Sequence, residues 1–125
     1  MLTRVLLVAV GGALGAVARY GLGGFVHRYA PPTFPYGTFV VNVTGCLAFG
    51  LIAGLSEQRA VIGPAARTFL LIGVLGGFTT FSTYGFETFG LLRDMELGRA
   101  LANAAGQVIV GVFALWVGYV IARAI

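Results

Sequence analysis

Residues 76–84 of this 125-residue chain read GGFTTFSTY, and they interrupt an apolar segment that runs from Thr68 to about Leu92. In hydrocarbon, every backbone N–H or C=O group without a hydrogen-bond partner costs several kcal/mol. A polar break that contains glycine therefore survives in a membrane only where it is buried in protein or lines a hydrated path. Within it, residues 79–84 gather four Ser and Thr hydroxyls and two aromatic rings. We predict that it handles an ion or a small solute at membrane depth.

The composition indicates that the bilayer is the solvent of this chain. Hydrophobic residues make up 58% of the sequence and charged residues only 10%, whereas about 25% is usual in a soluble domain. A chain of this length cannot cover so much apolar surface within one small core. The net charge is +4, but the eight basic residues are arginines scattered singly at segment ends. Without a basic stripe or cluster, nucleic acid is not an expected partner.

Four apolar segments are long enough to cross a bilayer, which takes about 20 mostly apolar residues. They cover residues 5–26, 36–55, 68–92 and 100–122. We therefore predict an all-α membrane protein in which a single domain, residues 1–125, has four transmembrane helices and a third helix broken in mid-membrane. The first segment could instead be a signal peptide, but its apolar stretch resumes after Arg19, which favours a retained span.

The arginines give no clear orientation in the membrane. With four spans, both chain ends and the second connection lie on the same side. That side carries Arg4, Arg59, Arg67 and Arg123, and the other carries Arg19, Arg28, Arg93 and Arg99. Because the positive-inside rule cannot decide between equal counts, the chain can insert both ways. We favour an antiparallel homodimer, which supplies an inverted repeat, over a single orientation set by subtler signals.

Glycines at four-residue spacing predict close packing of the helices. Each pair lies on one helix face, where small residues let two backbones approach. The pairs are Gly11 with Gly15, Gly50 with Gly54, and Gly73 with Gly77.

Neutral polar and aromatic side chains also recur at helical spacing on three of the spans. The pairs are Thr38 with Asn42, Phe81 with Tyr84, and Asn103 with Gln107. A lone polar residue in a span could simply join two helices, a contact worth about 0.6–2 kcal/mol. Three such stripes beside a broken helix favour a lining for a transported solute.

The chemistry of this lining suits an anion. The first, second and fourth spans contain no acidic residue, whereas carriers of cations or protons usually place carboxylates there. Amide and hydroxyl donors and the positive edges of aromatic rings can replace the water around an anion. A fixed cation in the narrow part would hold the anion too tightly. Glu87 fits this less well, and it lies near an aqueous end, is protonated, or is hydrogen-bonded to neighbouring hydroxyls.

Three stretches resemble the CrcB/Fluc family of fluoride channels: residues 11–20 (GGALGAVARY), 37–45 (GTFVVNVTG) and 76–84. The likeness spans essentially the whole chain, and the three motifs in this order are specific. The resemblance implies an antiparallel, dual-topology homodimer in the cytoplasmic (inner) membrane. Such a dimer has two fluoride pores and a central sodium ion, and it lets fluoride leave the cell passively.

The resemblance also assigns the site residues. The side chains expected in the fluoride pore are Asn42, Phe81, Tyr84, Thr38, Thr80, Ser82, Asn103 and Gln107. The backbone carbonyls of Gly76 and Thr79 are expected to hold the sodium ion, and Arg19 is expected in the aqueous vestibule. Tyr84 departs from the Phe that is frequent in the family, and Gln107 stands where a Ser is common.

Other functions remain open from the residues alone. A small dual-topology multidrug exporter would need a carboxylate in the first span, and residues 5–26 contain none. A non-transporting membrane assembly factor would use the glycines for packing and the polar residues to join helices. An enzyme is not expected, because the single histidine, His27, lies at a span end and no nucleophile–base pair stands out.

Overall fold

The computed structural model describes residues 1–58 and 62–125. Arg59, which the sequence assigns to the second connection, lies outside these residues. Within this part of the chain, four helical stretches are long and apolar enough to cross a membrane. They are α1 (Leu2–Tyr29), α2 (Tyr36–Gln58), a composite third span (Pro64–Arg93) and α6 (Leu97–Ala124). The prediction of an all-α fold with four spans is confirmed, and each helix extends a few residues beyond its predicted span.

The third span consists of four helical pieces. It begins with α3 (Pro64–Arg67), continues as a π-helix (Thr68–Leu75) and ends in α4 (Gly76–Phe78) and α5 (Phe81–Arg93). The extended backbone is confined to two residues, Thr79 (φ −81°, ψ 159°) and Thr80 (φ −147°, ψ 121°). The break is therefore narrower than the predicted motif, since the residues on either side of these two threonines are helical.

Glycines bring the helix backbones into direct contact. The most extensive packing is between α2 and α6, and α1 packs mainly on the π-helix. A Cβ atom on Gly50 would collide with the carbonyl oxygen of Leu115, and one on Gly15 would collide with that of Val74. The predicted packing role of the glycine pairs is thus confirmed, because a larger side chain at either position would force two backbones apart.

The interior of this fold is small and largely polar, and most of its large apolar side chains face outward. The most buried apolar residues are Val41, Ala100 and Ala122, each 1% exposed. Buried beside them are the polar side chains Thr38, Thr80, Asn103 and Gln107. Such an arrangement is typical of a membrane protein, in which polar contacts and close backbones, rather than apolar burial, hold the helices together.

Candidate functional site

An open groove of about 350 Å³ lies between α2, α5 and α6. Its polar border consists of Asn42, Thr79, Thr80, Tyr84 and Gln107, and the exposed ring of Phe81 stands at its edge. We call this the amide groove. None of the residues described along its border is charged, so any ion inside it would meet dipoles and ring edges only.

Asn42 holds the break of the third span in place. Its Oδ1 accepts a hydrogen bond from the backbone N–H of Thr80 at 2.8 Å, and its Nδ2 donates to the carbonyl of the same residue at 3.0 Å. The N–H of Thr80 lacks a helical partner where the helix stops, and its C=O, at the N-cap of α5, has a second lone pair to share. One side-chain amide thus bonds both backbone groups of Thr80, as a neighbouring β-strand would.

A chain of hydrogen bonds leads from Asn42 to α6 and back to α5. Asn42 Nδ2 donates to Gln107 Oε1 at 2.7 Å, and Gln107 Nε2 donates to Asn103 Oδ1 at 2.8 Å. Asn103 Nδ2 then donates to Thr88 Oγ1 at 2.9 Å, and this hydroxyl donates to the carbonyl of Tyr84 at 2.8 Å. Each donor points the same way along the chain, so the bonds polarise one another.

The two aromatic side chains of the groove differ in burial. Phe81 is 82% exposed in the protomer, whereas Tyr84 is half-buried. Their ring centroids lie 5.5 Å apart with an interplanar angle of 46°. The phenol hydroxyl of Tyr84 donates to the carbonyl of Ala104 on α6 at 2.9 Å. The hydroxyl is therefore hydrogen-bonded to the backbone of α6, and the aromatic ring is the part of Tyr84 that borders the amide groove.

A second groove, of about 600 Å³, lies between α1, α2 and α5. Its titratable border residues are Arg19, Tyr20, His27 and Glu87, and we call it the charged groove. Thr38 borders it too, and its hydroxyl donates to Glu87 Oε1 at 2.7 Å. Of the three alternatives for Glu87, the structure contains the hydrogen bond to a hydroxyl. Its Oε2 atom is buried without a hydrogen-bond partner among the described residues.

The structure brings most, but not all, of the predicted site residues to one place. Those around the amide groove are Asn42, Thr79, Thr80, Phe81, Tyr84 and Gln107. Thr38 and Arg19 border the charged groove instead, and Thr80 borders both grooves. Ser82 is exposed on α5, outside the border residues of the two grooves. Asn103 is 0% exposed and acts within the hydrogen-bond chain.

Two further residues, one beyond the grooves and one at the border of the charged groove, were not among the predicted ones. Thr88 accepts from Asn103, and its position one turn after Tyr84 was the available signal. His27 borders the charged groove, and its ring lies against Gly37, where an added Cβ would come within 2.6 Å of Nε2. Its four-residue steps from Gly23 and Arg19 on α1 place all three on one face.

The break also changes what the carbonyls of Gly76 and Thr79 can bind. In a continuous helix these carbonyls would accept from the N–H groups of Thr80 and Thr83. Here the Thr80 N–H donates to Asn42, and the Thr83 N–H donates to Thr80 Oγ1 at 3.2 Å. Two carbonyls close to the protomer surface therefore lose these helical donors. Carbonyl oxygens are suitable ligands for a hard cation.

Fold and site together define a small four-span membrane protein with an uncharged polar groove at the break of its third span. Residues 6–119 match the model of a family described as "CrcB-like protein, Camphor Resistance (CrcB)". The chain belongs to this family, as its motifs predicted.

Curated proteins from several bacteria are similar over nearly the whole chain. A fluoride-specific ion channel FluC of Nitratidesulfovibrio vulgaris is 51% identical over 118 residues, which cover 92% of this chain and 93% of that protein. A protein of the same name from Thermus thermophilus is 48% identical and covers 93% and 92%. The protein of the same name from Methylobacillus flagellatus is 45% identical, and the alignment covers 93% of this chain and 91% of that protein. The family and the four apolar helices identify a multi-pass protein of the cell membrane.

Proposed function

We propose that this protein is a fluoride-selective channel that lets fluoride leave the cytoplasm passively and so lowers its concentration in the cell. The observation that carries the proposal is the amide groove, where neutral donors and ring edges meet at the broken helix. The names of the similar curated proteins support the same ion. The proposed function is passive transport, which involves no chemical reaction in either groove.

The groove suits an anion that must be stripped of water and then released. Removing a carboxylate-sized ion from water costs on the order of 20 kcal/mol by a Born estimate, and a smaller anion costs more. Neutral dipoles at short steps can offset this cost without binding the ion as firmly as a fixed cation would. Arg19, half-buried at the charged groove, is placed to attract anions from water.

We further propose that two copies assemble as an antiparallel dimer. The amide groove is open, and Phe81 on its edge is 82% exposed, so a single protomer does not enclose a path for an ion. A second copy packed over this face would close the groove and bury the ring. The equal arginine counts on the two sides of the membrane allow this copy to run in the opposite direction.

The freed carbonyls support a structural sodium ion at the centre of such a dimer. Gly76 is exposed and Thr79 is half-buried in the protomer, so both can face a partner copy. Four carbonyls from two breaks would offer the oxygen ligands that a hard cation prefers. The ion would then join the two copies and take no part in conduction.

Purified protein in liposomes tests the function directly. With a fluoride gradient and an ion-selective electrode, the wild-type protein is expected to release fluoride and to retain chloride. We expect Asn42→Asp to abolish the flux, because it replaces two N–H donors by a negative charge. Phe81→Ile should do the same, because it removes a ring edge.

The matched control is Ile109→Ala, on α6 and 67% exposed, away from the polar border of the groove. Its fluoride flux should equal that of the wild type. Wild-type vesicles that keep fluoride, or that lose chloride equally fast, would exclude a fluoride-selective channel. Normal flux in both groove variants would place the pore elsewhere.

A further inference from the structure

The side-chain amide of Asn42 has no free N–H group in this structure. Its Nδ2 carries two hydrogens, of which one is donated to the carbonyl of Thr80 and the other to Gln107 Oε1. Its Oδ1 is occupied by the N–H of Thr80. An anion that takes a hydrogen bond from Asn42 must therefore displace one of these two acceptors.

Neither amide can escape this arrangement by turning over. If Asn42 were flipped, its oxygen would face the carbonyl of Thr80 and its nitrogen the N–H of the same residue. Gln107 is fixed by its own donation to Asn103, whose Nδ2 in turn donates to Thr88. Gln107 consequently presents its oxygen, and not an N–H group, to Asn42.

We propose that Gln107 Oε1 is a built-in competitor for the conducted anion at Asn42, and that this contact sets how tightly the groove binds fluoride. The inference rests on the proposed function and deepens it. Gln107 acts here as a positioning residue, because it controls whether the donor of Asn42 is available. The anion would replace the Gln107 oxygen as the acceptor of one N–H bond.

The bond to Gln107 is the one that can be exchanged. The bonds to Thr80 hold the backbone of the break, and turning the amide away would leave the Thr80 N–H without its acceptor. Gln107 is on another helix and borders the groove with a flexible side chain. A hydrogen bond to a charged acceptor is roughly twice as strong as one to a neutral carbonyl. An anion can therefore displace the Gln107 oxygen, but it has to compete with it.

Two substitutions of Gln107 should act in opposite directions. Gln107→Leu removes the competing oxygen and keeps most of the volume, so the fluoride concentration at half-saturating current should fall roughly two- to tenfold, the effect of one ordinary hydrogen bond. Gln107→Glu supplies a charged competitor, so this concentration should rise. Both are measured from currents in planar bilayers over a fluoride titration, with Gln107→Met as a second apolar variant if Gln107→Leu does not fold.

The variant Thr88→Val distinguishes the competitor role of Gln107 from a purely structural role. This variant removes the last side-chain acceptor of the hydrogen-bond chain and keeps the hydrogen bond from Asn42 to Gln107. It should lower thermal stability and leave the half-saturating concentration within about twofold, below the effect of one hydrogen bond.

An unchanged or higher half-saturating concentration in the apolar Gln107 variants, with a conducting wild type, overturns the competitor role and leaves the channel function standing. A Thr88→Val effect as large as that of Gln107→Leu would overturn it as well. A wild type without fluoride current removes both the function and the inference.

Discussion

At the scale of single residues, the decisive contact is one amide side chain that completes a broken backbone. Asn42 contacts both the N–H and the C=O of Thr80, and the cost of leaving such groups unpaired in a membrane explains why an amide is required. Serine or threonine could not replace it, because a hydroxyl has one hydrogen and cannot donate both to the Thr80 carbonyl and to Gln107 Oε1.

The Tyr84 hydroxyl belongs to the packing of α5 on α6. We expect Tyr84→Phe to keep fluoride flux, because the ring that borders the amide groove remains. The lost bond to the carbonyl of Ala104 should lower the unfolding free energy by about 0.5–1.5 kcal/mol. Flux is measured in liposomes and stability by thermal unfolding in detergent. Abolished flux in a folded variant would instead assign the hydroxyl to conduction.

Sequence reasoning could predict which side chains gather at the site better than what each of them contacts. The spacing of Asn103 and Gln107 predicts a shared helix face, and the two are hydrogen-bonded at 2.8 Å. Thr38 shares a face with Asn42 by the same rule, yet its hydroxyl donates to Glu87 at the charged groove. A four-residue step rotates a helix by about 40°, which is enough to direct neighbouring side chains to different helices.

At the scale of helices, Thr79 ends one piece of the third span and Thr80 begins the next. Its Oγ1 accepts from the N–H of Thr83 and caps α5. We expect Thr80→Ala to lower the unfolding free energy by about 0.5–2 kcal/mol, the usual value of such a cap. Thr80→Ser keeps the oxygen and should retain most of the stability. Equal melting temperatures for the wild type and Thr80→Ala would show that this cap contributes nothing.

The contact between α1 and the third span can be tested at two glycines of the same helix. An added methyl group at Gly15 would meet the carbonyl of Val74, whereas at Gly21 nothing lies within 4 Å. Gly15→Ala should cost about 1–3 kcal/mol, as overpacked interiors do, and Gly21→Ala should be neutral or stabilising. Thermal unfolding measures both, and a Gly15→Ala protein as stable as Gly21→Ala would contradict this close packing.

The four spans and the break follow from hydropathy and glycine, but the π-helix before the break does not. Residues 68–75 read TFLLIGVL and are apolar on nearly all sides, so no periodicity distinguishes one helical pitch from another. The i→i+5 hydrogen bonding of this segment, which packs against α1, is seen only in the structure. Likewise, composition could place polar groups near the break but could not limit it to Thr79 and Thr80.

At the scale of the whole molecule, the proposed antiparallel dimer requires both orientations in one membrane. With Cys46 replaced by Ser, a single cysteine at Met95, which is 76% exposed in the last connection, reports the side. We expect a membrane-impermeant thiol reagent to label about half of the protein from outside intact vesicles and the rest after lysis, since the arginines favour neither orientation. Complete labelling from one side alone would exclude dual topology.

The hydrogen-bond chain from Thr80 through Gln107 to Tyr84 gives this protein a row of dipoles with a single sense. In one copy this row would make the two directions of ion travel unequal. An opposed copy carries the same row reversed, so the sum over the pair vanishes. The current–voltage curve of such an assembly should therefore be symmetric about zero, and a cell could rely on it as a simple leak whose direction is set by the gradient alone.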